Sequence, residues 1–386
     1  MSHSGRTADG DASGERIAPA MRSAPFVHLV ARADGDAVAA AGLLARALAD
    51  VGTPFQVSVG RTEAERTERA TIDRDDGAIA LVVGSSQSDA YHLDPADEPA
   101  SVAAWRLAGE LGGAPDSVLA LAGAVAAGVT PGAGATERLV DAAETSGRLR
   151  RRPGVATPTE DDRDGLAGST LVHASFSGDH DETQAALADL DLADELDDDA
   201  RRTLASLVAV ETVGADEATP RSGEVLDRAL RPYETPEGSF ATVGGLADVL
   251  DCTAAAAPGT GVALALGHDV RESALSVWRE TATAAHDTVR DATTGRYDGV
   301  FVARVDEGPV SVAARLVRDF RSPEPVALVV SDDEAAAAAV DGRDLAGVMA
   351  RAVTQTGGAH DGTPRTGYAT FECESREFIS AFREAL

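Results

Sequence analysis

The sequence predicts an α/β chain built around a parallel sheet, and three observations support this. Short, continuous apolar runs recur, as in strands buried on both faces. Apolar patterns at helical spacing separate them, as in strand–helix–strand units. The alternation starts afresh near residue 255, so the chain of 386 residues, 44% apolar, carries a second α/β domain.

Met1 to Ala24 is polar with no period and is expected to be a disordered tail. Pro25–Val30, Pro54–Val59 and Ala78–Val83 read as strands. Ala37–Ala49, Ser101–Leu111 (with Trp105 on its buried side) and Val118–Val129 read as helices. Arg148–Asp164 is rich in Arg, Pro, Thr and Asp, a surface connection. Thr183–Leu207 shows helical patterns among acidic residues, and Phe240–Leu250 leads into a helix. Pro258–Gly261 reads as a turn and Val262–Leu266 as a strand, followed by a helix over Ser273–Thr293 that contains Trp278. Strands at Asp298–Val305, Pro325–Val330 and Tyr368–Glu372 then alternate with helices at Val310–Asp319, Arg343–Val353 and Arg376–Leu386. The alanine run Ala335–Ala339 favours helix. The expected organisation is a tail (1–24), a first lobe (25–165), a helical middle segment (166–254) and a C-terminal α/β domain (255–386).

Composition excludes several functions. Basic residues number 34 and acidic residues 64, for a net charge of −30, and none of the basic residues is lysine. Such a chain has no broad basic face for duplex DNA, so any nucleic-acid contact must be local. The absence of lysine also excludes a Gly-x-x-x-x-Gly-Lys phosphate loop. No apolar run is long enough to span a membrane, and the first residues lack the apolar core of a secretory signal. Cys252 and Cys373 cannot frame a disulfide-rich fold or a four-cysteine zinc site. A reduced, cytoplasmic protein is expected. The acidity fits an extreme halophile; the alternative is a charge that recruits a basic partner.

Two motifs have the chemistry of sites. Arg32-Ala33-Asp34-Gly35-Asp36-Ala37 lies between a strand and a helix, in the crevice where open α/β sheets bind ligands. Clustered carboxylates suit hard divalent cations; equally, Asp36 can cap the following helix. In Gly357-Gly358-Ala359-His360-Asp361-Gly362-Thr363-Pro364-Arg365-Thr366-Gly367, glycines let backbone amides converge on an anion, with His360 and Arg365 as donors. The same stretch also reads as a glycine-rich hairpin. Asp179-His180-Asp181-Glu182 reads as a solvated acidic loop, with metal binding as the alternative, His28 as a core histidine and His286 as exposed. Arg148, Arg150, Arg151 and Arg152 form a short basic patch in the connection, read as a solvated linker, with contact to phosphate as the alternative.

Taken together, in this order and separation, the motifs resemble the DHH phosphoesterase family, and within it the archaeal RecJ-like single-strand exonucleases. Asp34-Gly35 matches the end of the family's first motif, and Leu121-Ala122-Gly123-Ala124-Val125 is similar to the helix of its fourth. Ser177-Gly178-Asp179 and Phe240-Ala241-Thr242 are similar to the middle segment. Gly357-Gly358-Ala359-His360 is similar to the Gly-Gly-Gly-His signature of the DHH-associated C-terminal domain. The resemblance covers about residues 25–386. It implies a two-lobed DHH phosphoesterase fold, with an N-terminal parallel-sheet lobe and a DHH-associated C-terminal α/β domain. In active members two Mn²⁺ or Mg²⁺ ions activate water for phosphodiester cleavage, and the glycine loop grips the nucleic-acid backbone.

The departures are as informative as the matches. Val30 and Arg32 stand where the first motif has His and Asp, and Val82-Val83-Gly84-Ser85-Ser86 lacks the second motif's Asp. The Asp-His-His signature is absent before Tyr91-His92-Leu93-Asp94-Pro95, and the fourth motif's Asp falls near Ala127. Asp34 and Asp36, with Asp94 as a doubtful third, are the remaining metal ligands. The first reading is therefore a catalytically degenerate replication or repair subunit. It binds single-stranded nucleic acid through Gly357, Gly358, His360 and Arg365 and partners an active nuclease or helicase complex. The second reading is an active, metal-dependent 5′–3′ single-strand exonuclease or oligonucleotide phosphodiesterase. The third is an unrelated α/β small-molecule binder.

Overall fold

A computed structural model describes residues 9–71, 77–95, 97–188, 190 and 196–386. The start of the expected tail, 1–8, and positions 189 and 191–195 of the acidic helical segment lie outside them. The chain divides into two compact units, 1–149 with 257–274, and 150–256 with 275–386.

The first unit runs α1 (Asp9–Ser23), β1 (Val27–Arg32), α2 (Gly35–Asp50), β2 (Phe55–Gly60), α3 (Glu63–Thr71), β3 (Ile79–Val83), β4 (Tyr91–Leu93), α4 (Ala100–Glu110), α5 (Ser117–Ala126) and α6 (Glu137–Thr145). The second opens with β5 (Arg150–Arg151), α7 (Asp162–Ala167), α8 (His180–Ala188), α9 (Asp198–Gly214), α10 (Pro220–Leu226), β6 (Tyr233–Glu234) and α11 (Val243–Ala256). The chain then returns to the first unit for α12 (Pro258–Ala265). It continues through α13 (Arg271–Asp291), β7 (Thr293–Tyr297), β8 (Val300–Arg304), α14 (Val310–Leu316), a π-helical segment (Val317–Arg321), β9 (Val326–Val330), β10 (Glu334–Ala339), α15 (Leu345–Thr356), β11 (Ala359–Gly362), β12 (Thr366–Thr370) and α16 (Ser375–Ala385).

In the first unit a parallel sheet has the order β2-β1-β3-β4, with Val27 opposite both Phe55 and Ile79. The α2 sequence is mostly Ala, Gly and Leu, and nearly all of it is buried. Small residues let neighbouring helices approach it. A Cβ on Gly42 would lie 2.6 Å from the Ala265 Cβ, and one on Gly123 only 2.8 Å from the Ala39 Cβ.

The second unit holds a six-stranded sheet in the order β11-β12-β10-β9-β8-β7. Only the β8–β9 pair, joined through α14, is parallel. One core cluster covers one face with residues of α15 and α16, and another covers the opposite face with residues of α14. The expected fold class, a parallel-sheet α/β unit and a second unit with its own sheet, is the one observed. Among the described residues no helix is long and apolar enough to cross a membrane.

Four expectations are corrected. The described part of the tail forms α1 over Asp9–Ser23, which buries Ile17, Ala18 and Met21; three apolar residues in a polar segment sufficed. The turn and strand over Pro258–Leu266 are one helix, α12, with Pro258 in its first turn, where a missing N–H costs nothing. The alanine run is strand β10, because burial on both sheet faces overrides a weak helical preference. The Arg148–Asp164 connection is not all surface, since Val155 and Ala156 are core residues.

Candidate functional site

The carboxyl ends of β1, β2 and β3 form the crest of the parallel sheet, and the Asp-Gly-Asp motif sits there. Its two carboxylates have parted roles, and the expected cap is the other one. Asp34, not Asp36, caps α2: its Oδ1 accepts from the Ala37 amide at 2.8 Å, and its Oδ2 is paired with the Arg32 guanidinium. Burial alone pushes the Asp34 carboxyl up. Arg32, the Ala37 amide and the more distant Arg66 outweigh burial and hold it below its ordinary value.

Asp36 is buried, and its oxygens accept from the amides of Ala100 at 2.7 Å and Ser101 at 2.9 Å. These are first-turn amides of α4 with no partner inside that helix. Asp36 therefore ties α2 to the positive end of a helix 64 residues away. Burial, then the Asp34 charge, pushes its carboxyl up to about 6, against the opposing hydrogen bonds.

The central cation of the crest is Arg66, fully buried on α3. Its Nε donates to the Ser85 carbonyl oxygen at 2.9 Å and its Nη1 to the Gly60 carbonyl oxygen at 3.2 Å. Its Nη2 donates to Ser85 Oγ at 3.2 Å. One guanidinium thus braces the ends of β2 and β3. A Cβ on Gly60 would lie 2.8 Å from the Arg66 Cγ, so the strand must end in glycine. Asp94 is exposed just beyond β4, and His92 faces the carbonyls of Gly84 and Ser88.

This donor set does not fit a two-metal centre, which needs several anionic or imidazole ligands converging on four positive charges. One carboxylate rests on a guanidinium, the other on two amides, and two arginines occupy the crest. Among the described residues no group of three or more His, Cys, Asp or Glu is placed to hold a metal ion.

The glycine-rich stretch forms the β11–β12 hairpin. Gly357 ends α15 with φ 75°, and Gly358 follows with φ 99°. A Cβ on Gly358 would lie 2.0 Å from the Thr370 carbonyl oxygen, so its glycine serves close backbone packing. His360 pairs with Ala369 inside the ladder, and Arg365 is exposed in the turn at the far end. The hairpin thus separates the two donors. A cavity of about 500 Å³ near the glycines is lined by Asp332, Glu372 and Glu374 among others.

Sequence reasoning missed Arg66, whose helix is otherwise polar, and misread His286. That histidine is buried, with its Nδ1 2.9 Å from the Nδ1 of His173 and its Nε2 donating to the Ser169 carbonyl oxygen at 3.0 Å. In the neutral pair this leaves His286 Nδ1 to accept and His173 Nδ1 to donate. Burial, then Arg290 and Arg321, pushes His173 down to about 4. Burial, then His173, holds His286 well below its usual range. The fold keeps both rings neutral while the unfolded chain protonates near pH 6.5. Stability contributed by the pair is therefore complete above that pH and drains away as pH falls toward 4. Asp36 acts in the opposite direction, because the folded state takes up its proton near pH 6, before the unfolded state does. A His173→Gln, His286→Gln variant should show a flatter melting temperature between pH 6.5 and 4.5 than the wild type; parallel curves would remove the pair from the account.

A parallel-sheet unit with its crest between strand ends and helix N-termini, joined in sequence to a six-stranded mixed sheet, defines an α/β protein of a known fold. CDC45 from Entamoeba histolytica shares it, at 8% identity and TM-score 0.57, with 97% of this chain and 98% of that one covered. An exonuclease RecJ bound to manganese is also similar, at 13% identity and TM-score 0.49, with 97% and 92% covered. Residues 292–384 match the family described as "Uncharacterized protein rrnAC1427, C-terminal domain". The chain belongs to the family of uncharacterized protein rrnAC1427 of Haloarcula marismortui, with which it is 50% identical over 390 residues covering the whole of both.

Proposed function

We infer that this is a RecJ-like, DHH-family protein of DNA replication or repair, catalytically degenerate, working as a nucleic-acid-binding or scaffold subunit beside an active nuclease or helicase complex. The observation that carries the reading is Arg66. A fixed cation, each of whose three guanidinium nitrogens donates a hydrogen bond, stands at the sheet crest, where metal-dependent hydrolysis would require anionic ligands. The glycine hairpin is the contact for a strand's phosphates in this reading, with His360 in its ladder and Arg365 in its turn meeting different phosphates, while the Gly357 amide is already taken by the Val353 carbonyl oxygen. The fold shared with CDC45 is compatible with such a role, and the acidity together with a relative from Haloarcula supports a halophilic, archaeal setting.

The test is purified protein in high-potassium buffer with Mn²⁺ on labelled single-stranded DNA, beside an Asp34→Ala, Asp36→Asn variant checked for folding by circular dichroism. The expected result is binding without cleavage by either protein. Cleavage by the wild type that the variant lacks overturns the reading in favour of a metal-dependent single-strand exonuclease using Mn²⁺ or Mg²⁺.

A further inference from the structure

In the second unit, β5 and β6 form a two-stranded ribbon whose two faces carry different chemistry. Residues directly opposite in an antiparallel pair share a face. Arg150 stands opposite Glu234, and Arg151 opposite Tyr233. On the first face Glu234 is clamped by Arg150 Nε at 3.0 Å and Arg152 Nη1 at 3.0 Å, and Glu160 lies 4.0 Å from Arg152, so two carboxylates offset the two guanidiniums. On the second face the Arg151 guanidinium lies over the Tyr233 ring, 4.6 Å from its centroid. Arg231, two residues before Tyr233, is exposed. Among the described residues neither Arg151 nor Arg231 has a carboxylate at ion-pair distance, in a chain of net charge −30.

Arg231 has φ 52°, one of two non-glycine residues with positive φ among those described. Its amide is held by the Gly154 carbonyl oxygen at 3.0 Å, which fixes that backbone. Glycine or asparagine would hold the conformation with less strain, so the backbone does not account for an arginine here.

We propose that the Arg151–Tyr233 platform with Arg231 is a contact site for single-stranded nucleic acid, one base stacking on the platform while the arginines meet the flanking phosphates. The proposal rests on the nucleic-acid reading above and places a second contact away from the glycine hairpin. Aromatic and guanidinium planes accept any base as a stacking partner, and unpaired arginines supply the phosphate contacts. A duplex hides its base faces, so the single strand is the form that can stack on the platform.

The experiment measures binding of a fluorescein-labelled oligothymidylate of about 20 nucleotides, longer than the roughly 4–16-nucleotide footprint of such sites, to the full chain across a KCl series. Arg151→Gln and Arg231→Asn, the latter tolerant of positive φ, should each weaken binding about fivefold and lower the salt slope by about 0.7. Tyr233→Leu should weaken it about tenfold with the slope unchanged. Arg150→Gln, on the neutralised face, should change little. Wild-type binding that the three platform variants leave intact overturns this site while the nucleic-acid reading stands. No binding by the wild type overturns both. Equal competition by polyglutamate, with no effect of Tyr233→Leu, replaces the strand with an acidic protein partner and overturns the proposal.

Discussion

Replacing Arg66 with methionine is expected to cost the first unit about 3 kcal/mol or more. The methionine fills part of the volume but donates nothing. The Gly60 and Ser85 carbonyls, which Arg66 bridges, lose their donor, the first in a buried setting and the second in a partly buried one. A buried acceptor without a partner costs about 1–3 kcal/mol, and two lose theirs together. Arg66→Lys should rescue little, because an ammonium lacks the planar fork that reaches both strand ends. The loss should appear as a lower midpoint in urea with an unchanged slope. An Arg66→Met midpoint within about 0.5 kcal/mol of wild type would falsify the brace and weaken the case for a crest that keeps its own cation.

Gly245→Ala should be comparably severe in the second unit. Gly245 lies on α11, and a Cβ there would sit 2.2 Å from both the carbonyl carbon and oxygen of Thr157. The obstacle is backbone, so no rotamer change relieves it. The helix must lift off the 157–158 segment, and a loss of about 3 kcal/mol or more is expected. Gly259→Ala is the matched comparison. Gly259 lies in α12, where an added Cβ meets nothing within 4 Å, and the substitution should be neutral or stabilise by up to about 1 kcal/mol. Thermal melts of the two variants should therefore move in different directions or by very different amounts. Equal shifts would refute the close approach of α11.

The contrast between these glycines shows where the sequence is legible. The inner strands of the parallel sheet, β1 and β3, stand out as mostly apolar runs, because a strand buried on both faces has no polar side to interrupt it. The helices α2, α5 and α13 are legible for the same reason of period. Roles that depend on distant partners are not. Spacing alone offers Asp36 as the cap of its own helix, whereas it caps α4 and leaves α2 to Asp34. His286 lies in a polar helix, and only packing shows that it is buried against His173. Arg66 is one charged residue among many in α3, and the accessible hint was the pair of glycines, Gly60 and Gly84, at two strand ends. Glycine at a strand end signals that something must come close. The resemblance carried by the Asp-Gly-Asp and glycine-rich motifs located both segments, but not what each side chain touches.

Strand β10 has a consequence for how the second unit assembles. Its five alanines, Ala335 to Ala339, lie between β9 and β12, with alternate residues in the two core clusters. A strand of identical side chains carries no memory of its own alignment. Sliding it by two residues puts methyl groups where methyl groups were, so within the run β10 gains nothing from the correct pairing over its nearest competitor. Alignment must come from outside the run. Ser331 accepts the Glu334 amide on its Oγ at 3.1 Å and donates its own amide to the Glu334 carbonyl oxygen at 2.8 Å, closing the β9–β10 turn. At the other end the Val340 amide reaches the Pro325 carbonyl oxygen at 3.1 Å. These two clasps set the zipper, and the alanines between them follow.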